Sequence, residues 1–195
     1  MRIWAAIRMT IVLTVLTGIA YPLAIAAAAH ALFPRQAGGS LVTRGGTVVG
    51  SALIGQNFSD RRYFRGRPSA AGDKGYDAAN SGGSNLGPTN KSLITAVAAR
   101  VREVRERNPG VAGVPVDLVT ASGSGLDPEI SIAAADLQIP RVAKARGLDE
   151  DTVRKLVRAN TEGRFLGLFG EPGVNVLMLN LALDRLRAGD RPAGS

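Results

Sequence analysis

The sequence predicts an α+β protein, with a single N-terminal transmembrane helix followed by one mixed α/β soluble domain. Three observations lead to this fold class. Residues 9–34 carry no reliably charged side chain, and this run exceeds the ~20 apolar residues that cross a bilayer. Residues 40–50 show a hairpin pattern around a Gly-Gly pair. Residues 93–104 repeat apolar side chains at helical spacing.

The apolar run is interpreted as a membrane anchor covering residues 1–34. Pro22 is expected to kink this helix, which is tolerated in membrane helices whose freed carbonyls find other donors. Trp4 and Phe33 lie near its two ends, and aromatic side chains are enriched at membrane interfaces. The remaining residues, 35–195, form the predicted α+β domain.

The orientation of the anchor follows from its flanking charges. Arg2, Arg8 and the amino terminus precede the apolar run, whereas Arg35 and Arg44 follow it. This bias favours a cytoplasmic N-terminus in a single-pass protein of the cell inner (plasma) membrane, with the domain extracytoplasmic, on the periplasmic side. A cleaved signal peptide is the alternative, since small residues that suit cleavage occupy 24–31. Both interpretations place the domain outside the cytoplasm.

Composition narrows the chemistry of the domain. The chain has no cysteine and one histidine, His30, which lies inside the apolar run. A Ser-His-Asp triad, a cysteine nucleophile and a histidine-based or cysteine-based metal site are therefore excluded. The net charge of +8 fits nucleic acid, anionic lipid or an acidic protein as a partner.

A long loop follows the predicted strands. SLVTRGGTVVG, at 40–50, predicts two short strands, and residues 51–58 predict a further strand or turn. Residues 59–90 show no periodicity, and loops this long in a compact domain are usually functional or disordered. Because aromatic residues lie in or beside it, we expect an ordered loop that makes contacts. These aromatic residues are Phe58, Tyr63, Phe64 and Tyr76.

The segment RRYFRGRP, residues 61–68, interleaves arginines with aromatic side chains. Such a composition can bind nucleic acid through charge and stacking. The favoured alternative is a surface loop anchored by Tyr63 and Phe64, with solvated arginines, because the domain is expected outside the cytoplasm.

The segment SGGSNLGPTN, residues 81–90, leads into a helix that is predicted to begin at Pro88-Thr89-Asn90 and to stop at Asn108-Pro109-Gly110. Thr89 or Asn90 can cap that helix. The free amides of a helix N-terminus favour anions, but the segment lacks the lysine of a phosphate-binding loop at the required position. We expect a shaped loop that faces a partner or the domain's own core, with phosphate binding as the minority interpretation.

A second glycine-serine segment follows residues 114–120, whose alternation predicts a strand. Pro128 is expected in the first turn of a helix. Between them lie Ser122 and Ser124. With Lys144 as base, either serine would be the nucleophile of a secreted or membrane-anchored serine hydrolase, which is one alternative to a non-enzymatic role.

The C-terminal third predicts three helices. Two are expected at 132–146 and 149–160, around Gly147. Residues 138–160 also resemble a helix-turn-helix, so a membrane-tethered DNA-binding protein is the second alternative, disfavoured by an outside location. The last helix is expected to begin at Pro172 and to be largely buried.

Several blocks, in order behind one N-terminal helix, resemble the C subunit of the Kdp potassium-transporting P-type ATPase, and they span nearly the whole chain. The blocks are GSALIGQNF (50–58), YFRGRPSA (63–70), SGGSN (81–85), VPVDLVTASGSGLDP (114–128), QIPRVAKARGL (138–148) and VNVLMLNLALD (174–184). The chain departs from the family pattern at Glu129, where we expect His or Asn.

The resemblance implies a non-catalytic accessory subunit of a high-affinity, ATP-driven potassium uptake complex that assists assembly and coupling. The implied partners are a channel-like potassium-binding subunit, a P-type subunit that hydrolyses ATP, and membrane lipid, without nucleic acid. No cofactor of its own is expected, since ATP and Mg belong to the pump subunit. A role as a catalytic chaperone for ATP binding by the pump subunit is also proposed for the family. The outside location argues against that role, because no ATP is available there.

The candidate site residues form two groups, without a catalytic residue or a metal ligand. The family proposal implies nucleotide binding by Gln56, Ser81, Gly82, Gly83, Ser84 and Asn85, since the glycine-rich serine stretches, with Gln56 or Gln138, resemble parts of a transporter ATP signature. The candidate partner contacts are Tyr63, Phe64, Arg67, Pro68, Ser122, Ser124 and Asp127. The arginines are expected to lie away from the ion path, because a positive field disfavours potassium.

Overall fold

The chain is mixed in helix and sheet, as predicted. The computed structural model describes residues 2–164 and 166–189, and the chain divides into two compact units, residues 1–51 and 52–195. The first unit holds a long helix and a two-stranded hairpin, and the second holds a three-stranded sheet with four α-helices among its described residues.

The N-terminal helix is continuous over 31 residues and is long and apolar enough to cross a membrane. It consists of α1 (Arg2–Val15), a π-helical turn (Leu16–Ala20) and α2 (Tyr21–Leu32). The Tyr21 amide donates to the Leu16 carbonyl, five residues back. Pro22 has no amide hydrogen to donate to the turn before it, so the expected irregularity takes the form of one wide turn.

The predicted hairpin is confirmed. A four-residue helix, α3 (Pro34–Ala37), precedes strands β1 (Leu41–Arg44) and β2 (Thr47–Ser51), which pair antiparallel. Gly45 and Gly46 join them with φ angles of +56° and +82°. Both angles are positive, as the tight turns that suit strand twist require, and glycine adopts them without strain.

The second unit packs three α-helices and a small antiparallel sheet around one core, whereas its first helix has no buried residue and contributes only the partly buried Val104. Its elements are α4 (Lys91–Arg107), β3 (Glu129–Ser131), α5 (Ile132–Arg146), α6 (Glu150–Ala159), β4 (Thr161–Glu162), β5 (Gly173–Asn175) and α7 (Val176–Gly189). The sheet has the order β3-β5-β4. The helices α5, α6 and α7 contribute apolar side chains to the core, among them Ile139, Val142, Val153, Val157, Leu179 and Leu183.

In the helical hairpin α5–α6, the first helix ends and the second begins close to the positions that the sequence predicted. Gly147 closes α5 in the left-handed conformation, with φ of +66°. The carboxylate of Asp149 then accepts hydrogen bonds from the amides of Asp151 and Thr152, which caps α6. Both helices bury an apolar face in the core, so the hairpin is explained by packing alone.

Three local predictions were wrong. Residues 114–120 form no strand but a short 3-10 turn, Val116–Leu118, in which Asp117 turns back to accept hydrogen bonds from Ser131. Pro128 and Pro172 do not open helices, since each precedes a short strand, β3 or β5. A proline fixes φ at a value that suits the approach to a strand as well as a helix start.

The loop 59–90 is ordered without belonging to the sheet. Its only helical element is the 3-10 turn Ala78–Asn80, and the Asp77 carboxylate caps this turn by accepting from the Ala79 amide. The rest of the loop is held by side chains from elsewhere in the second unit, which position the candidate site.

Candidate functional site

Two buried amide side chains fix the backbone of the loop next to Tyr63. Oδ1 of Asn180, on α7, accepts from the Phe64 amide at 2.8 Å, and its Nδ2 donates to the Phe64 carbonyl at 2.9 Å. Gln138, on α5, makes the same pair of bonds with Arg65 at 2.9 and 3.1 Å. This pair of side chains, the amide clamp, replaces a neighbouring strand, because it satisfies buried backbone groups that would otherwise lack partners.

The aromatic residues of this segment anchor the loop. Phe64 is fully buried in the core, so its prediction as a partner contact was wrong. Tyr63 is half-buried, and its hydroxyl donates to Asp184 at 3.1 Å. The guanidinium of Arg146 lies 4.8 Å from the Tyr63 ring centre and pairs with Asp184 at 2.9 Å. The aromatic anchoring matches the arrangement that the sequence favoured, but the expectation of solvated arginines was wrong for Arg65 and Arg67, which are half-buried in ion pairs.

Arg67 connects the loop to the second glycine-serine segment. Its Nη1 pairs with Asp127 at 2.9 Å, and its backbone carbonyl accepts from the hydroxyl of Tyr76 at 2.6 Å. Burial, with the nearby Asp127 carboxylate, raises the pKa of Tyr76 to about 12, so the hydroxyl stays a proton donor. Pro68 is half-buried next to this pair.

The two glycine-serine segments lie against each other and form a surface that we call the serine-glycine face, residues 81–85 and 122–125. The Gly82 amide donates to the Ser124 carbonyl at 2.8 Å, and the Ser81 hydroxyl donates to the same carbonyl at 3.0 Å. A Cβ on Gly125 would lie 2.5 Å from the Gly82 carbonyl oxygen, and the φ angle of Gly125 is +68°. The contact therefore requires glycine at position 125.

The outer side of this face is made of short polar side chains. Ser84 and Asn85 are exposed, and Asn85 adopts a left-handed φ of +51°. The Ser122 hydroxyl accepts from the Gly125 amide at 3.0 Å, and that of Ser124 accepts from the Leu126 amide at 3.1 Å. Both candidate nucleophiles thus shape a turn.

Lys144, the base of the hydrolase alternative, lies in the last turn of α5. It lines a surface hollow with Arg61 and Pro109, and neither Ser122 nor Ser124 is among the residues that line that hollow. The structure gives the serines a turn-forming role and does not assemble a Ser-Lys pair around that hollow.

A cavity of about 380 Å³ lies beside the amide clamp, and Gln56 is one of its lining residues. We call it the arginine cavity, after the five arginines that line it: Arg65, Arg67, Arg100, Arg107 and Arg141. Glu103 lines it as well and pairs with Arg65 at 2.6 Å and with Arg107 at 3.2 Å. The hydrogen bond from Arg65 is the main reason why the pKa of Glu103 lies below its ordinary value.

Arg141 is the most enclosed cation of this cavity. Burial, reinforced by repulsion from Arg107, Arg65 and Arg61, lowers its pKa to about 10. Its guanidinium donates to Oδ1 of Asn108 at 3.0 Å, to Oε1 of Gln138 at 2.7 Å, and to the carbonyls of Arg61 and Tyr63. These acceptors are all neutral.

The six nucleotide-binding candidates are divided between two places. Gln56 lines the arginine cavity, whereas Ser81, Gly82, Gly83, Ser84 and Asn85 belong to the serine-glycine face and are not among the residues lining the cavity. Sequence reasoning missed the amide clamp and Arg141. The available signal was a polar residue, Asn180, within an otherwise apolar helical stripe.

Glu129, where the chain departs from the expected family pattern, packs against Gly173, which has no side chain. Its carboxylate occupies the space that a Cβ on Gly173 would take. Burial is the main cause that raises the pKa of Glu129, and the carboxylates of Glu162 and Asp127 raise it further.

Comparison with known proteins places this chain in a family. The family model described as "K+-transporting ATPase, c chain" matches residues 3–185. The potassium-transporting ATPase KdpC subunit of Rhodopseudomonas palustris (strain BisB5) is 60% identical, over 92% of this chain and 94% of that protein. Its counterparts in Sorangium cellulosum (strain So ce56) and Rhodospirillum rubrum are 61% and 62% identical, over 93% and 88% of this chain and 96% and 89% of those proteins. The chain therefore belongs to the KdpC family of potassium-transporting ATPase subunits, as the order of its sequence blocks predicted.

Proposed function

We propose that the chain is the non-catalytic accessory subunit of a high-affinity, ATP-driven potassium uptake complex, and that its serine-glycine face docks on a partner subunit. One observation carries the docking role: two glycine-rich loops brace each other through the Gly82–Ser124 backbone bond and leave short side chains outside. A surface that is ordered before docking loses little conformational entropy on binding. Short side chains also let a partner backbone approach closely.

The partner we propose for this face is the channel-like, potassium-binding subunit. The support is the single N-terminal apolar helix, Arg2–Leu32, with Arg2 and Arg8 at its start. By the positive-inside rule this charge favours a cytoplasmic N-terminus in the inner membrane and a domain outside. ATP and Mg²⁺ then belong to the P-type pump subunit, on the other side of the membrane. Of the predicted contacts, Pro68, Ser122 and Ser124 join the docking surface, supported by the Arg67–Asp127 ion pair.

The chain has no cysteine, so single cysteines can test both topology and docking. We would compare Ser84→Cys, on the serine-glycine face, with Lys155→Cys, on the exposed side of α6. Spheroplasts would be treated with a membrane-impermeant maleimide, with the chain expressed alone or with its whole operon. Both variants should be labelled when the chain is alone, and the Ser84→Cys variant should be protected in the complex.

The outcomes separate the two parts of the proposal. Labelling of both variants only after permeabilisation would place the domain in the cytoplasm and refute the topology. Equal labelling of both variants in the assembled complex would refute docking through this face. Gentle detergent purification under potassium starvation should also recover a P-type ATPase and a channel-like protein in fixed proportion, and recovery of the chain alone would contradict the subunit role.

Raising the ATP affinity of the pump subunit is the second candidate role. The observation in its favour is that Gln56 lies in a cavity lined by arginines, which suit phosphate groups. This role requires a domain on the cytoplasmic side, so the labelling experiment decides it too. If the domain is cytoplasmic, Gln56→Ala should raise the ATP concentration for half-maximal ATPase activity of the complex, and an unchanged value would exclude the role.

A further inference from the structure

The arginine cavity holds more positive charge than the nearby carboxylates neutralise. Glu103 is shared by Arg65 and Arg107, and Asp127 pairs with Arg67 from outside the cavity. Five arginines against these two carboxylates leave a formal surplus of three positive charges. Like charges held together in a partly enclosed space destabilise the fold unless an anion joins them.

Among the residues that the structure describes, Arg141 has no charged partner, and Arg67, although it pairs with Asp127, keeps one buried donor without an acceptor. Arg141 is 9% exposed, and within the described residues its guanidinium donates only to neutral oxygens of Asn108, Gln138 and two backbone carbonyls. Nε of Arg67 is buried and has no hydrogen-bond partner in the described part of the chain. A buried donor without an acceptor is unfavourable, so an acceptor that reached Arg67 would remove this cost.

The positive surface continues beyond the cavity. Arg107 and Arg141 also line the neighbouring hollow, together with Arg61 and Lys144, and no acidic residue is among the described residues that line it. An anion approaching this side of the second unit therefore meets one sign of charge, which raises its local concentration at the cavity mouth.

The arrangement of the arginines favours a phosphate over a lone carboxylate. Arg65 and Arg67 come from the loop, Arg100 and Arg107 from α4, and Arg141 from α5. Donors that converge from three segments suit a tetrahedral group with several oxygens, whereas a planar carboxylate is served by one guanidinium fork. The volume, about 380 Å³, lies within the range of small-molecule sites and leaves room for an ester group.

We propose that the arginine cavity binds a phosphate group, presented either by inorganic phosphate or by the headgroup of an anionic phospholipid. This site is independent of docking through the serine-glycine face. The lipid source fits a chain whose N-terminal helix is apolar enough to cross a membrane, and the soluble source needs no membrane.

The test is calorimetric titration of the full chain in a neutral detergent, at fixed ionic strength. One titration uses inorganic phosphate and the other uses short-chain phosphatidylglycerol. The variant Arg107→Gln removes a lining cation, and Arg105→Gln removes the same charge from an exposed position on the same helix that does not line the cavity. Arg100→Gln provides a second lining variant if Arg107→Gln fails to fold.

Saturable binding of one probe at one site per chain is expected. A lining variant should weaken it about tenfold or more, as the loss of one charge-assisted bond predicts, and Arg105→Gln should change it less than about twofold. Binding of phosphatidylglycerol alone identifies a lipid headgroup, and binding of inorganic phosphate identifies a site for the free group. Equal weakening by Arg105→Gln, or no saturation by either probe, overturns the proposal. If neither probe binds and Arg107→Gln alone loses the partner subunits, the cavity receives an acidic side chain of a partner instead.

Discussion

Replacing Asn180 by alanine should strongly destabilise the second unit, because Asn180 is half of the amide clamp. The side chain is 2% exposed and makes both of its bonds to the backbone of Phe64, which is itself buried. The substitution removes the acceptor of one buried amide and the donor to one buried carbonyl.

The expected loss follows from these two groups. Each buried backbone group left without a partner costs about 1–3 kcal/mol, so Asn180→Ala should lose about 2–6 kcal/mol. Typical domains have only about 5–15 kcal/mol of stability. With a urea dependence of about 2 kcal/mol per molar, a loss of about 4 kcal/mol lowers the unfolding midpoint by about 2 M.

The assay is urea unfolding of the full chain in detergent, followed by circular dichroism. The matched control is Asn57→Ala, which removes one exposed bond to the carbonyl of Lys74 and should cost less than about 1 kcal/mol. Asn180→Asp adds a test of the donor, since an ionised carboxylate cannot donate to the Phe64 carbonyl. Its stability should rise as the pH falls and the buried carboxyl is protonated. Equal midpoints for Asn180→Ala and Asn57→Ala would refute the clamp.

Three further predictions use matched pairs or a pH series. Gly125→Ala should lower the thermal midpoint by an amount equivalent to about 2–4 kcal/mol, because its Cβ meets a carbonyl oxygen and its φ is positive. Gly123→Ala, whose Cβ meets open space, should cost less than about 1 kcal/mol, and equal midpoints would contradict the close approach. Asp184→Ala should cost about 3–5 kcal/mol in urea unfolding, because it leaves the buried guanidinium of Arg146 without a carboxylate partner. Glu171→Ala breaks an exposed ion pair and should cost less than about 1 kcal/mol. Similar losses for the two variants would show that burial does not matter here. The pKa of Glu129 is raised in the folded state. The chain should therefore lose stability as the pH rises from the unfolded pKa of about 4.3 through the folded pKa. The loss should be less than about 1 kcal/mol, because solvent screens the group, and Glu129→Gln should remove it. A variant less stable than the parent at pH 8 in thermal melts would refute that sign.

The elements that were predictable are those whose signal is local. The hairpin at 40–50, the helix α4 and the pair α5–α6 follow from spacing, caps and glycine stops within each segment. The predicted strand at 114–120 failed because alternation over a few residues also fits a 3-10 turn, and here Asp117 bonds to Ser131 rather than facing solvent. Short patterns of this kind cannot separate the two without knowledge of long-range partners.

The sequence predicted which segments contribute to the site but not how these segments contact one another. The glycine-serine segments were recognised as shaped loops, but their pairing through Gly82 and Ser124 joins residues far apart in the chain. Phe64 was expected both to anchor the loop and to contact a partner, and the long-range bond between Asn180 and its backbone, 116 residues away, was not foreseen. A polar residue in an apolar helical stripe, such as Asn180, marks an unusual position but does not identify the backbone to which it bonds. The amide clamp and its effect on the loop therefore emerge only from the packed structure.

The amide clamp has a consequence for the order of events during synthesis. Residues 61–68 leave the ribosome long before α7 is made, yet the backbone of Phe64 depends on a side chain 116 residues further along. Closing so long a loop is slow and entropically unfavourable until the final contacts form. The hairpin α5–α6 can therefore form while the loop is still unfixed, and the loop becomes ordered only when nearly the whole chain has been translated. A chain that ends before Asn180 would lack both hydrogen bonds that fix the backbone of Phe64.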